Sequence, residues 1–315
     1  MQGQDPRGFR LAVRARTKDL TVADVERVLS EERSLVVTWL NRGTLHLVRS
    51  EDYPLLQALT TPPLFTSSVR RLRQEGVSEA AADRALTTIE KALADEGPLT
   101  RAQLRERLDV ADLRTEGQAL IHLFFLAALR GIVVRGPMVG KQHAYVLVRD
   151  WLGEQRPIDR DRALAELARR YLVGHQPATD RDLAKWAGLP LRDARAGLRA
   201  IGSELEEGED GLVSLAKRPA PERVPAPRLL GAFDPVLLGW TSRTQILGEH
   251  APSVVTGGLF RPFAMAGGRA VAGWRWSKEE VTLDAYERLP AKTAAALRRD
   301  AADVVRFLAR RDSKQ

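Results

Sequence analysis

The chain has 315 residues, 44% apolar and 29% charged, a globular composition with room for more than one core. It has no cysteine, which excludes disulfides, thiolate zinc sites and thiol catalysis and fits a reducing cytoplasm; its five histidines are scattered, so neither a metal site nor a cofactor is expected. The net charge of +8 and pI near 10.1 point either to a nucleic-acid partner or to the bias of an Ala- and Arg-rich protein, and no run reaches the roughly 18 apolar residues of a membrane span nor is a secretory leader expected.

Met1-Gln2-Gly3-Gln4-Asp5 opens the chain, and residues 6–17 read as a short helix or a loop. Thr21 is an N-cap signal, with Asp24 as its acidic partner three residues on and Val25, Val28 and Leu29 as an apolar face. Residues 34–40 are apolar, Arg42-Gly43 turns the chain, and Thr44–Val48 alternates like a strand. Pro54 opens a further short helix, which Thr61-Pro62-Pro63 breaks.

From Glu79 a pattern begins that then returns. Helices are expected over 79–95, 101–108 and 115–130, followed by strands at 132–134 and 144–148 around a Gly136/Gly140 loop. About 80 residues later come helices at 161–173, 181–187 and 191–201. Leu205 and Leu212–Ala216 then flank an acidic turn. The segments Gly97–Leu104 and Gln176–Leu183 align, each with a Thr leading a short second helix. Helix, helix, helix, hairpin is the winged-helix order, which serves DNA binding or, less often, protein contacts. Residues 217–228 alternate proline with charge and read as an extended linker. Beyond it, short apolar runs with a Gly267-Gly268 turn suggest a small antiparallel sheet or barrel. The tail, 284–311, reads as a helix with Leu289, Ala296, Val304 and Leu308 on its apolar stripe.

Five blocks in order carry a resemblance: Gln2-Gly3-Gln4-Asp5-Pro6-Arg7; Ser34–Trp39; Arg42-Gly43-Thr44-Leu45-His46-Leu47-Val48; Leu229–Trp240 with Arg243; and Gly273-Trp274-Arg275. Together they resemble the AlkZ-like winged-helix DNA glycosylases, a family that unhooks interstrand crosslinks. The resemblance covers essentially the whole chain. It implies an α+β fold with three tandem winged-helix motifs around a cleft and a small C-terminal β-barrel. The expected domains are 1–75 (a first winged helix, short at its start, with the catalytic motif), 76–152 and 153–218 (second and third winged helices) and 219–315 (barrel and terminal helix). Family members continue upstream of the Gln motif with a further helix. A start site upstream of Met1 or a lost helix is therefore expected, with apolar surface left uncovered on the first winged helix and reduced activity of the chain as it stands.

The resemblance also implies hydrolysis of the N-glycosidic bond of alkylated or crosslinked purines in duplex DNA, with Gln2 and Gln4 at the catalytic positions. Without it, Gln-x-Gln at a chain terminus reads as a solvated tail. In an extended segment two carboxamides at i and i+2 project to one side and can hold one water. Asp5 points the other way and suits a cap. Arg42, His46, Arg70, Arg71 and Arg73 are candidates for DNA contact or cleft lining. For His46 a hydrogen-bonded structural role stands beside that reading, and for the three arginines a solvated helix face. Asp234 is expected to pair with Arg243 as a structural ion pair, and Trp274 and Trp276 to fill the barrel core. The expected partner is double-stranded DNA with a damaged purine, bound by a cytoplasmic, nucleoid-associated monomer. The competing reading is a winged-helix transcriptional regulator without chemistry.

Overall fold

The computed structural model describes residues 1–140, 142–155, 158–217 and 224–309. The chain forms two compact units. The terminal unit combines Met1–Glu26, Arg169–Trp186 and Ile201–Gln315; the middle unit combines Arg27–Ala168 and Ala187–Ala200. The fold is mixed helix and antiparallel sheet. No helix among the described residues is long and apolar enough to cross a membrane.

In the middle unit, Leu35–Trp39 and Leu45–Arg49 form a hairpin whose first strand also pairs with Val133–Val139, itself paired with Gln142–Leu147. The result is one four-stranded sheet, so the two hairpins expected in separate domains share a ladder. Both faces are covered, as the alternation of side chains requires. Val36, Val134 and Val146 pack with Tyr53 on one side. Trp39, Val133, Tyr145 and Leu147 pack on the other with the helices Glu79–Glu96, Arg101–Val110 and Ala119–Leu129. Gly136 lies within a strand rather than in a loop, and the position needs a glycine because a Cβ there would stand 2.5 Å from Val146.

Three helix starts use the same device. Gln103 accepts from the Thr100 backbone N–H (2.9 Å) while Thr100 Oγ1 accepts from Gln103 N (3.3 Å). Asp182 and Thr179 repeat it (2.9 and 3.2 Å), as do Asp24 and Thr21 (2.8 and 3.3 Å). Each is a capping box satisfying two otherwise unpaired donors. The threonines, 21, 100 and 179, are 79 residues apart. The residue before each of the later two bridges a strand of the following hairpin, Leu99 to Tyr145 and Ala178 to Val213.

The terminal unit starts with the helix Pro6–Arg14. Asp5 caps it, accepting from Arg7 N (2.8 Å) and Gly8 N (3.0 Å), with Pro6 in the first turn where a missing N–H costs nothing. Phe9, Leu11, Ala12 and Val13 are buried; the apolar surface expected to lie open is covered. Arg14 is buried too and pairs with Asp300 (2.8 Å) and Asp303 (3.0 Å), and donates to Leu229 O (3.0 Å). Asp300 also accepts from Arg228 (2.8 Å) and Leu229 N (2.7 Å). The charge cluster thus joins the N-terminal helix, the strand Arg228–Leu230 and the helix Ala291–Leu308.

Among the described residues the C-terminal strands do not close into a barrel. Arg228–Leu230, Phe263–Ala266, Arg269–Ser277 and Glu280–Ala285 form an open four-stranded sheet, and Val255–Thr256 with Leu259–Phe260 form a separate ribbon. Gly267 and Gly268, at φ +57° and +81°, turn the hairpin as expected. Trp274 is core and donates to Leu230 O (2.8 Å), whereas Trp276 is half-buried with the Arg7 guanidinium 4.6 Å over its ring. The buried face of the last helix carries Leu297, Asp300, Val304 and Phe307. Leu289 precedes that helix, and Ala296 and Leu308 are half-buried. In the expected linker, residues 218–223 lie outside the described residues.

Candidate active site

Gln2, Gly3 and Gln4 precede the capped helix directly. Gln2 is 8% exposed and Gln4 is exposed. Their side chains meet: Gln2 Nε2 donates to Gln4 Oε1. Gln2 Oε1 is buried and has no partner among the described residues. The carboxamide pair therefore presents an acceptor ready for a donor that the described residues do not supply.

The loop Gly231–Asp234 packs on the helix that follows the pair. A Cβ on Gly8 would stand 2.4 Å from Ala232 O, and one on Gly231 would stand 2.9 Å from Gly8 O. Neither position tolerates a side chain without a backbone shift. Asp234 is fully buried and forms a two-pronged pair with Arg16, at 3.0 and 2.7 Å. It also accepts from Val236 N (3.0 Å). The expected Asp234–Arg243 pair is not formed. Arg243 donates to Leu237 O (2.6 Å) and lies 5.0 Å over the Phe260 ring, where burial lowers its pKa. Arg16 reaches Asp234 instead because a fork of two N–H donors fits a carboxylate that burial leaves otherwise unneutralised. Burial lowers the pKa of the Met1 amine to about 6, with the Arg16 charge adding to the effect and the Asp234 charge opposing it. Sequence reasoning did not find Arg16, which is 218 residues from its partner.

In the middle unit, Arg42 sits in the hairpin turn at φ +58°. It leaves room only for glycine at 188, where a Cβ would meet Arg42 N at 2.9 Å. His46 is buried and its Nδ1 is 2.9 Å from Thr44 O. A carbonyl only accepts, so Nδ1 carries the proton and Nε2 is an acceptor. Burial pushes the imidazole down to about 3 and holds it neutral. Thr38 is the cross-strand neighbour of His46. The Thr38 hydroxyl and Asn41 Oδ1 are buried without a partner among the described residues. Neither residue stood out in the sequence, because a Thr within a strand and an Asn at a turn are ordinary there.

Arg70, Arg71 and Arg73 are exposed on the helix Phe65–Gln74. Arg71 pairs with Glu75 (2.9 Å) and reaches His122 (3.3 Å); Arg73 pairs with Glu79. One group of potential metal ligands occurs among the described residues. Glu249, His250 and Glu287 bring ligand atoms within 4.8 Å of one another, at a cavity of about 400 Å³ that Arg269 and Arg288 also line.

The family model "DNA glycosylase AlkZ-like" matches residues 1–307. The interstrand DNA cross-link repair glycosylase of Streptomyces sahachiroi is 30% identical over 307 aligned residues, covering 87% of this chain and 79% of that protein. The solved structure of the S. sahachiroi DNA glycosylase AlkZ superposes with a TM-score of 0.78 at 26% identity, covering 98% of this chain and 88% of that one. The chain belongs to the AlkZ-like family of DNA glycosylases, hydrolases of N-glycosyl bonds.

Proposed function

We propose that this glycosylase hydrolyses the bond between C1′ and N9 of alkylated or crosslinked purines in duplex DNA, and that Gln2 and Gln4 form its reacting centre. The observation that carries the assignment is the buried, unpartnered Gln2 Oε1, held by the bond from Gln2 Nε2 to Gln4. An N7-alkylated purine is already cationic and leaves without a general acid. Water adds its oxygen to C1′ as the C1′–N9 bond breaks. The bonding pair goes to the purine and neutralises its charge, and the water proton is released to solvent. What remains for the protein is to aim the water and to face the positive sugar with negative charge. A carboxamide oxygen does both, although it does not take a full proton as a carboxylate would.

The frame for DNA is a set of tandem winged helices at 76–152 and 153–218, with a shorter first copy over 1–75, followed by a C-terminal region at 219–315. The regular 79-residue spacing of the capped threonines supports this division. Arg42, Arg70, Arg71 and Arg73 contribute to the basic DNA-facing surface, the ion-paired Arg71 and Arg73 exchanging carboxylate for phosphate on binding. His46, with its proton fixed on Nδ1, offers a neutral acceptor rather than a phosphate contact. Asp234 and Arg243 hold the protein rather than the DNA. The enzyme acts as a cytoplasmic monomer on nucleoid DNA. Membership in a glycosylase family does not favour a regulator without chemistry.

The test is incubation with duplex carrying a single N7-methylguanine, followed by hot alkali. Strand cleavage at the lesion, and free N7-methylguanine in equal amount, are expected. An intact strand with protein bound contradicts the reading.

A further inference from the structure

Phe233 is the one residue of the Gly231–Asp234 loop with a left-handed backbone. Its φ is +56°, a region that side chains larger than Asn rarely occupy and that costs free energy for a bulky residue. The neighbours enforce it. Ala232 is pinned against Gly8, and Asp234 is locked by Arg16 and by Val236 N. Strain of this kind persists where the surrounding structure over-determines it, and it clusters at functional sites. Phe9, Phe263 and Phe307 of the unit are buried, whereas Phe260 is half-buried. The Phe233 ring stays half-exposed, tilted at 41° against Phe260 with centroids 5.3 Å apart. The backbone is bent at a cost, and the ring it aims is left partly in solvent. The bend lies on the loop that packs against Gly8, in the first turn of the helix that directly follows the Gln2–Gln4 pair.

A flat apolar ring on a loop packed against the helix that follows the Gln pair fits the face of another flat ring. We propose that Phe233 is the stacking platform for the alkylated purine; the assignment rests on the glycosylase reading above. The cationic purine suits this surface for two reasons. Its π-face stacks on the ring, and its positive charge is attracted to the negative face of an aromatic quadrupole. Two arginines that contact the loop or its neighbouring ring are engaged elsewhere. Arg16 is neutralised by Asp234, and Arg243 lies over Phe260. Undamaged guanine lacks the charge, so the platform favours the lesion over the normal base.

The experiment measures binding and cleavage separately in Phe233→Trp, Phe233→Leu and Phe233→Gly. Binding uses a duplex with 2′-fluoro-N7-methylguanosine, whose glycosidic bond resists cleavage, against the undamaged duplex. Cleavage uses the ordinary N7-methylguanine duplex. F233L and F233G should lose about tenfold in preference for the lesion and in single-turnover rate, with affinity for undamaged duplex unchanged. F233W should stay within about threefold of the parent. F233G should keep or raise the melting temperature, since glycine relieves the backbone. Full lesion preference in F233L overturns the proposal, as does a melting temperature that falls in F233G together with activity. If the parent protein binds the lesion selectively through Phe233 but releases no base, the platform stands and the glycosylase reading fails.

Discussion

The middle unit buries a four-stranded sheet under hydrocarbon on both faces. The terminal unit fastens an open sheet and two helices with buried charge, Arg14 to Asp300 and Arg16 to Asp234. The first arrangement is generic, because many apolar sets of the right volume would fill it. The second depends on particular atoms meeting across 286 and 218 residues. It holds one geometry closely and fails when a partner is removed. The residues proposed for chemistry stand on the charge-fastened unit, where the Gln pair leads straight into the helix that ends at Arg14, two residues before Arg16.

Breaking that fastening is expected to have the largest effect on stability. Asp300→Ala leaves the buried Arg14 with only the more exposed Asp303 to neutralise it, removes the acceptor of Arg228 and Leu229 N, and should cost about 3 kcal/mol. Chemical denaturation would read this, and an Arg14→Met/Asp300→Leu double variant should recover part of the loss. A loss under about 1 kcal/mol would mean that water reaches the pair and screens it.

A middle-sized effect separates the units by pH. His46 titrates near 6.5 when unfolded but is pushed down to about 3 by burial in the folded protein. The unfolded chain therefore binds the extra proton between those values. Stability from this group is complete above pH 6.5 and is lost as pH falls toward 3. His46→Gln should remove that acid limb. Its stability gap to the parent should narrow by roughly 2 kcal/mol between pH 6.5 and 4.5. A constant gap across that range would show that His46 is hydrated in the folded state. The smallest effect should come from the exposed Arg107–Glu96 pair of the middle unit, 2.7 Å apart. Glu96→Gln should leave the unfolding midpoint unchanged within error, because solvent screens such pairs.

The same contrast explains what the sequence revealed. Asp5 as a cap, the Thr-led helices at 101 and 181, the Gly267-Gly268 hairpin and the long helix after Ser78 are set by neighbours within a few residues, and local chemistry exposes them. The third member of the threonine series, Thr21, was legible as a cap but not as a repeat, since only two copies share the helix order around them. Pairings at long range were not legible. Nothing in residues 35–49 says that the first strand also pairs with 133–139. Nothing local to Asp234 prefers Arg16 over the nearer Arg243. Strand runs with turns between them fit an open sheet as well as a barrel, because closure depends on register and tilt rather than on composition. Of the candidate site, the two glutamines stood out only through the family motif. Their mutual hydrogen bond and the buried free oxygen needed coordinates.

The measurement that bears most directly on the central claim is the single-turnover release of N7-methylguanine by Gln2→Ala, taken with its affinity for the same duplex. Losing the one buried acceptor should slow release by about 100-fold, the scale for removing one preorganised polar group at a reacting centre, while DNA affinity stays within about twofold of the parent. An unchanged rate, or a rate that falls only in step with affinity, would contradict the assignment of the reacting centre to the glutamine pair.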